Sequence, residues 1–378
     1  MKKMIWAISL CAVILFTGCK SSQLGAVDRL TPDNTNFSQS QTEYYENNED
    51  KNSNEGNTTG ENTDKGQKEN TENNKDQNKS DDSNSKKIYD EPVINSAVEN
   101  AVKAGNTENF SVTGGYGFGW NGIKKVYSNE EMKKCFDRLS EICSNANYNL
   151  SFSYENMETG ALVWYNDNKS YLTCSTIKAP YIKSLLARGI DLNDKIYRNS
   201  CWEGDDGTVA SAPYGTEYTA KQLIEYTVNE SDNTAYYLLK QTYGYYDFNN
   251  MLYNLGANYA LGDSWIFTHC TTADMLKCYA DIYSFAKENK DGKWLTELMQ
   301  NTEVTMQITQ ALGGKYKVSH KYGSEFTEAT FNDCAIVYAD SPFVLCIFTN
   351  QYPETEESSK VFRELAVVFD DINSLIAK

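Results

Sequence analysis

The chain has few of the side chains that hold metal ions in proteins. Its 378 residues include two histidines, His269 and His320, and none of its ten cysteines lies in a Cys-x-x-Cys pair. Zinc sites draw their ligands from such pairs and from closely spaced histidines. The sequence therefore gives no support for a metalloenzyme, and we expect no metal ion.

Basic residues are scarce as well. The chain carries 35 Lys and Arg against 52 Asp and Glu, so its formal net charge is −17 at pH 7. A protein that binds nucleic acid needs a basic face for the phosphate backbone, and this balance argues against one. A Walker-type phosphate loop is also absent from the sequence. We therefore expect no nucleic-acid partner and no cofactor.

One long segment has no apolar residue at all. Residues 46–87 are 42 positions without Ala, Val, Ile, Leu, Met, Phe, Trp, Tyr or Cys. Such a run cannot bury apolar surface to offset the entropy cost of ordering its backbone. We predict a disordered linker over residues 19–90, a loosely structured lead-in over 91–128 and a folded domain over 129–378.

The N-terminus is typical of an export signal. A short basic start is followed by a mostly apolar stretch from Met4 to Phe16, too short to span a bilayer, and then by Thr17-Gly18-Cys19. Small residues that end in a cysteine resemble the lipobox of bacterial lipoproteins, although Phe16 stands where leucine is usual. We predict a signal peptide over 1–18 and a lipid on Cys19 that anchors the protein to the extracytoplasmic face of the cell membrane. The alternative is an ordinary signal peptide cut elsewhere.

Past residue 128, the apolar spacing indicates both helices and strands. Helical stripes cover 129–143, 175–186, several parts of 219–300, and 361–376. Strand-like runs cover 148–154, 160–165, 333–338 and 343–349. The last two strands flank a turn at 339–342 and should form a hairpin. This order of elements predicts an α+β fold.

Eight cysteines remain after the signal segment and Cys19. Cys334 and Cys346 lie symmetrically about the hairpin turn, so we expect them to be neighbours across it. An exported chain usually oxidises its thiols. A disulfide between these two residues and eight buried free thiols are both compatible with the spacing. Cys174 lies beside a candidate nucleophile, and we interpret it as a packing residue.

Three short motifs carry the chemistry. The first is Ser175-Thr176-Ile177-Lys178 at a predicted helix start, where the spacing places a hydroxyl and an amine side by side. A neutral lysine in that position can take the serine proton. The second motif is Ser231-Asp232-Asn233, and the third is Lys321-Tyr322-Gly323, just before the last strands. The first motif alone is weak evidence, since Ser-x-x-Lys recurs at Ser83–Lys86 and Ser284–Lys287.

Together, the order and context of the motifs resemble those of the penicillin-recognising serine hydrolases. These are the class A β-lactamases and the low-molecular-mass penicillin-binding D,D-peptidases. The resemblance covers residues 129–378 and includes Pro213–Ile224, which is similar to the lead-in to the family's second motif. It implies a β-lactamase/transpeptidase-like fold, with an antiparallel sheet flanked by the terminal helices and an all-helical subdomain.

The resemblance also implies a role for each catalytic residue. Ser175 would be the acylated nucleophile. Lys178 would be its general base, with a pKa lowered by the like charge of Lys321. Ser231 would relay a proton to the leaving nitrogen, and Lys321 would polarise Ser231 and attract the substrate carboxylate.

The substrate-binding residues follow from the same resemblance. Asn233 would hold the substrate amide, and the strand at Tyr322 and Gly323 would lie along the substrate. The backbone N–H groups of Ser175 and Ser324 would form the oxyanion hole, which stabilises the charge that develops on the carbonyl oxygen. Two neighbours of the motifs are interpreted as structural: Asp232 orients its loop, and His320 belongs to the strand edge.

Two departures from the family pattern bear on the substrate. A class A β-lactamase has a glutamate in a loop after the second motif that activates the deacylating water, whereas this chain has no Glu between Glu230 and Glu288. Asp263 is the one acid in the segment 258–272 and is the candidate replacement. At the third motif, Tyr322 stands where the family has Thr or Ser to bind a substrate carboxylate.

These observations predict an extracytoplasmic serine hydrolase that works through an acyl-enzyme on an amide or ester. The substrate would be a β-lactam or a peptidoglycan stem peptide, and we expect a monomer. One alternative is a penicillin-binding sensor module that is acylated and does not turn over. The other is a non-catalytic relative, against which the presence of all three motifs argues.

Overall fold

The computed structural model describes residues 110–111, 116–119, 130–205, 207–305, 307–352 and 354–377. The predicted signal peptide, Cys19, the linker over 19–90 and most of the lead-in over 91–128 lie outside these residues, and they stay predictions. Within the described ranges, no helix combines the length and the apolar character needed to cross a bilayer.

A seven-stranded antiparallel sheet runs through the centre of the domain. Its strand order is β1-β2-β4-β3-β11-β10-β9, so the three last strands of the chain lie beside β3. The strands are β1 (Phe110–Ser111), β2 (Tyr116–Gly119), β3 (Leu150–Asn156), β4 (Leu162–Tyr165), β9 (Val318–Glu325), β10 (Thr330–Val337) and β11 (Phe343–Thr349). Two small sheets pair β5 (Tyr171–Leu172) with β8 (His269–Cys270), and β6 (Lys195–Tyr197) with β7 (Glu217–Thr219).

Helices supply the rest of the fold. The first and last are α1 (Glu130–Asn145) and α10 (Glu356–Ile376). Between them lie α2 (Lys178–Arg188), α3 (Thr208–Ser211), α4 (Ala220–Glu225), α5 (Asn233–Tyr243), α6 (Tyr246–Asn254), α7 (Thr272–Glu288), α8 (Lys290–Met299) and α9 (Ile308–Leu312). A 3₁₀ turn at Cys174–Ile177 precedes α2, and a π turn at Tyr226–Glu230 follows α4.

The two faces of the sheet bury two separate hydrophobic cores. Successive side chains of a strand point to opposite faces, so Ile336 of β10 packs into the core of the middle helices while Ala335 and Val337 pack against the terminal helices. In the second core, the ring of Phe369 on α10 stacks on Tyr154 of β3, with centroids 5.0 Å apart. Because both faces are covered, β10 and β11 are buried along their whole length, which is why the sequence shows apolar runs at 333–338 and 343–349.

The predicted α+β fold, with an antiparallel sheet, flanking terminal helices and a helical subdomain, is confirmed. Two local expectations need correction. The helix predicted from Ser175 begins as a 3₁₀ turn, with the α-helix starting at Lys178. The third motif lies within β9 itself, not before the last strands. In the predicted hairpin, Cys334 is directly opposite Cys346, and both are buried free thiols.

Candidate active site

Ser175 lies on the 3₁₀ turn between β5 and α2, at the point where the helical subdomain meets the sheet. The residue before it, Cys174, has a positive φ of 47°, an uncommon conformation for a residue with a side chain. Such local strain is found where a fold fixes a functional group in place. Burial raises the pKa of the Cys174 thiol, so it remains protonated, in agreement with a packing role.

Gly323 of β9 lies directly against the Ser175 backbone. A Cβ atom on Gly323 would be 2.5 Å from the Ser175 nitrogen and 2.8 Å from Cys174 Cβ, closer than atoms can approach. Glycine is therefore required there by space, because a side chain would hold β9 away from the serine turn. The expected oxyanion hole needs N–H groups from both of these segments, and their close approach is compatible with it.

Lys178 is fully buried, and its amine is held by the second motif. Nζ donates to the carbonyl oxygen of Ser231 (2.6 Å) and to Oδ1 of Asn233 (2.6 Å), and it lies 3.3 Å from Ser231 Oγ. A neutral amine has two N–H groups and one lone pair. Two acceptors use the N–H groups, which leaves the lone pair to accept a proton from a hydroxyl.

Both lysines of the site have lowered pKa values. The pKa of Lys178 lies well below its ordinary value, chiefly because burial removes water from the charged form, and next because Lys321 is nearby. Lys321 alone was expected from the sequence to cause this shift, whereas burial is the larger cause. Burial also lowers the pKa of Lys321 to about 7, against the opposing effects of Asp333 and Glu354. The lowered pKa of Lys178 favours its neutral form, the form that can act as a base.

Ser231 links the two lysines. It follows the π turn with a left-handed backbone (φ 60°), and its hydroxyl oxygen accepts a hydrogen bond from Lys321 Nζ at 2.9 Å. With the 3.3 Å approach of Lys178 Nζ, this gives a continuous path from Lys178 through Ser231 Oγ to Lys321. Such a path can carry a proton from the nucleophile towards a leaving group.

Two carboxylates hold the second motif in place. Asp232 caps α5 by accepting from the Ala235 N–H (2.7 Å), and its other oxygen accepts from the Val209 N–H (2.8 Å). Asp205 accepts from both the N–H and the hydroxyl of Thr234, at 2.8 and 2.6 Å. Asp232 therefore orients its loop, as the sequence analysis expected. Asp205 was not predicted, and its only sequence signal was a pair of acids between two glycines, Gly204 and Gly207.

Lys321 is fully buried on β9, and the nearby carboxylate of Asp333 partly opposes the effect of burial on its pKa. His320 Nδ1 lies 2.9 Å from Asp333 Oδ1, and His320 Nε2 lies 2.7 Å from Thr302 Oγ1. All four of these side chains are buried, so His320 belongs to the structure of the strand. Asp333 was missed in the sequence, although an acid at the head of an apolar strand indicates a buried partner.

Tyr322 and Ser324 form the outer part of the site on β9. Burial raises the pKa of Tyr322 to about 12, so its phenol stays protonated, and Lys321 Nζ lies 4.6 Å from the centre of its ring. The Ser324 hydroxyl donates to Oε1 of Glu354, in the loop between β11 and α10. Glu354 was not identified from the sequence, because only the tertiary structure brings that loop to β9.

The loop before β8 presents an aromatic ring towards Lys178. Phe267 is half-buried, with its ring centre 5.9 Å from Lys178 Nζ. The Asp263 carboxylate is exposed and accepts a hydrogen bond from the Tyr245 hydroxyl at 2.7 Å. Lys240 holds this loop by donating to three of its carbonyl groups, at 2.6 to 2.9 Å.

The structure thus brings the three sequence motifs to one point. Ser175 and Lys178 come from the start of α2, Ser231 and Asn233 from the turn before α5, and Lys321 to Ser324 from β9. Among the residues that the structure describes, no three His, Cys, Asp or Glu side chains are grouped to hold a metal ion. This fold and this constellation define a serine hydrolase of the β-lactamase and penicillin-binding superfamily.

A sequence model of the beta-lactamase enzyme family matches residues 134–369, well over half of the chain. The chain belongs to this family. Solved structures with a similar fold include PBP-A (TM-score 0.55, 16% identity, covering 63% of this chain and 93% of that one). A beta-lactamase from Chitinophaga pinensis has a TM-score of 0.56 at 19% identity, covering 65% of this chain and 99% of that one. A variant of PBP-A, solved as an acyl-enzyme complex with penicillin G, has a TM-score of 0.56 at 15% identity, covering 64% and 96%.

Proposed function

We propose that the protein is a serine hydrolase that forms an acyl-enzyme on Ser175 with an amide or ester and releases it slowly. The observation that carries the proposal is the buried path from Lys178 through Ser231 to Lys321, with hydrogen-bond distances of 3.3 and 2.9 Å at Ser231 Oγ. A base with a lowered pKa beside a serine on a strained turn is the arrangement that activates a weak nucleophile.

The chemistry follows from these contacts. Ser175 Oγ attacks the substrate carbonyl carbon, and the Ser175 hydroxyl proton passes to the lone pair of Lys178 Nζ. The negative charge on the carbonyl oxygen is stabilised by the N–H groups of Ser175 and Ser324. The C–N or C–O bond then breaks as Ser231 gives its proton to the leaving atom and takes one from Lys178. A water molecule later attacks the ester and returns the enzyme to its starting state.

Slow release is proposed because of Phe267. Water that attacks an ester needs a general base, and the side chain of this loop that faces Lys178 is a phenyl ring. Asp263, the candidate replacement for the glutamate, is hydrogen-bonded to Tyr245 instead. The same observation favours a second candidate function, a penicillin-binding sensor module that is acylated and stays so.

Intact-mass analysis with penicillin over time tests both candidates. We expect an adduct of one penicillin on the wild type, none on Ser175→Ala, and slow return of the free mass after the drug is removed. An adduct that never decays favours the sensor. Rapid hydrolysis of penicillin that depends on Ser175 would contradict slow release, and an unmodified wild type with every acyl donor would contradict the acyl-enzyme itself.

We also propose that the domain acts outside the cell on a peptidoglycan stem peptide or a β-lactam, anchored through Cys19. The support is the apolar stretch that ends in Thr17-Gly18-Cys19 and the polar segment after it. Cys19→Ser should leave the protein unprocessed or release it from membranes. If the variant fractionates and migrates like the wild type, the anchor is wrong.

A further inference from the structure

Glu354 places a carboxylate against β9, at Ser324. It accepts a hydrogen bond from the hydroxyl of Ser324, the residue whose N–H is proposed for the oxyanion hole. Its negative charge acts to raise the pKa values of Lys321, Tyr322 and Cys174, three groups that surround the Ser175 turn. For Lys321 this effect is smaller than the lowering caused by burial. The carboxylate itself is exposed. Glu354 therefore lies at the mouth of the site and within electrostatic reach of a bound substrate.

Two exposed aromatic rings lie beside it. Phe326 is 70% exposed, Tyr352 is 43% exposed, and their ring centres are 5.3 Å apart in an edge-on arrangement. Phe326 follows Ser324 by two residues, and Tyr352 precedes Glu354 by two. An exposed pair of rings next to a carboxylate provides the two groups that bind an ammonium ion, an aromatic face and an opposite charge.

The charge balance at this end of β9 is negative. Glu325 and Glu328 both raise the pKa of Cys174, and Glu303 raises that of Tyr322, so these acids also lie near the site. The cations of the site are the two buried lysines, which are held at lowered pKa values. A substrate carboxylate here would lose its water shell and meet like charge, whereas a substrate cation would meet opposite charge.

We propose that Glu354 selects acyl donors that carry an ammonium group on the β9 side of the scissile bond and disfavours donors that carry a carboxylate there. The preferred substrate is an amine-bearing peptide or ester, with its ammonium between Glu354 and the rings of Phe326 and Tyr352. A stem peptide or β-lactam that carries a carboxylate on this side, such as penicillin, would still acylate Ser175 but would be a poorer donor. The inference rests on the proposed acyl-enzyme function. It also accounts for Tyr322, a large phenol at the position where the family binds a carboxylate with a small hydroxyl.

Three esters with one common acyl group test the proposal. They differ only in the group on the leaving side, which is an ammonium, a neutral carboxamide or a carboxylate. For the full-length wild type, we expect kcat/KM for the ammonium ester to exceed that for the carboxylate ester by about tenfold or more, as one opposite charge near a protein surface can provide. The ratio should fall as salt is added, because Glu354 is exposed.

Charge variants at this position make the test specific. Glu354→Gln should bring the ammonium-to-carboxylate ratio close to one, and Glu354→Lys should invert it. The matched control is Glu357→Gln, which removes an exposed charge from the first turn of α10 and should leave the wild-type ratio unchanged.

The outcomes separate this inference from the function on which it rests. If the neutral ester acylates Ser175 but the ratio is the same in the wild type and in both Glu354 variants, the selectivity role is wrong and the acyl-enzyme function stands. If none of the three esters acylates Ser175, the proposed function itself fails. If Glu357→Gln shifts the ratio as much as Glu354→Gln does, the effect belongs to overall charge and not to Glu354.

Discussion

The two sides of the active site are built differently. The helical side consists of the turn at Ser175–Lys178 and the turn at Ser231–Asn233, and its amine and carboxylates are held by short hydrogen bonds. The strand side consists of β9 from Lys321 onward and of loop residues 350–352 and 354–355. There the inner residue, Lys321, is buried, but the outer ones, Phe326 among them, are exposed.

This difference in burial separates the residues that transfer protons from those that can recognise a substrate. Proton transfer needs amines with lowered pKa values and fixed distances, which only a buried, fully bonded environment supplies. Recognition needs groups that a substrate can reach, and the outer strand side offers a carboxylate and aromatic rings. Changes to the helical side should therefore affect the rate with every substrate. Changes to the outer strand side should affect the choice among substrates.

The largest effect is expected on the helical side. Lys178→Ala removes the proposed base and should slow formation of the acyl-enzyme by about 10³–10⁶, the range found for members of a catalytic unit. The rate is measured by intact mass in a single turnover with a reactive ester. The control is Lys183→Ala on the same helix, which breaks the ion pair with Asp281 and not the site. A Lys178→Ala variant within tenfold of the wild type would show that another base acts.

The next test joins the two sides. Gly323→Ala introduces a Cβ atom 2.5 Å from the Ser175 nitrogen, so β9 must move away from the serine turn. A displacement of about 1 Å in such a site costs about 100-fold in rate, and we expect a loss of this size in acylation with all three leaving groups. Gly314→Ala is the matched control, because nothing lies within 4 Å of its added Cβ. Equal rates for the two variants would mean that the close approach has no catalytic importance.

Lys321 allows a test by stability in place of activity. Its pKa is about 7 when folded and near 10.4 when unfolded, so between pH 7 and 10 the unfolded state binds more protons. Stability of the wild type should therefore rise with pH relative to Lys321→Met, by about 2–3 kcal/mol between pH 7 and 9. Urea unfolding at both pH values measures this difference. The control is Lys317→Met, at an exposed lysine, for which the stability difference from the wild type should not depend on pH. If the stability difference between the wild type and Lys321→Met is also independent of pH, Lys321 stays charged in the folded protein.

The smallest expected effect concerns deacylation. Phe267→Glu places a carboxylate beside Lys178, where it can bind and activate water. We expect the new carboxylate to speed the release of penicillin by about tenfold. This is less than the rate increase of about 10²–10⁴ that a well-positioned general base provides, because the loop does not hold the new side chain in a fixed position. Phe267→Gln has the same shape without the charge and serves as the control. If both variants release penicillin at the wild-type rate, the missing carboxylate is not what limits turnover.

Much of the fold followed from apolar spacing. Helices were predicted over 129–143 and 361–376 and are observed at 130–145 and 356–376, and the hairpin of β10 and β11 was also predicted. Each has a periodic or continuous apolar pattern that needs no distant partner to be recognised. The start of α2 could not be predicted from the sequence. The change from a 3₁₀ turn to an α-helix at Lys178 depends on packing against β9 and α7, which the local sequence does not encode.

By itself, the sequence determined the family and the identities of the reacting groups, since Ser175, Lys178, Ser231 and Lys321 lie in short motifs with a fixed order. The tertiary structure decided their electrostatics and surroundings. The lysine pKa values are lowered mainly by burial, which depends on the whole core. Glu354 lies 30 residues from its partner Ser324, and no local pattern joins them. Residues far apart in the chain set the charge that a substrate meets, because electrostatic interactions depend on distance in space and not on position in the sequence.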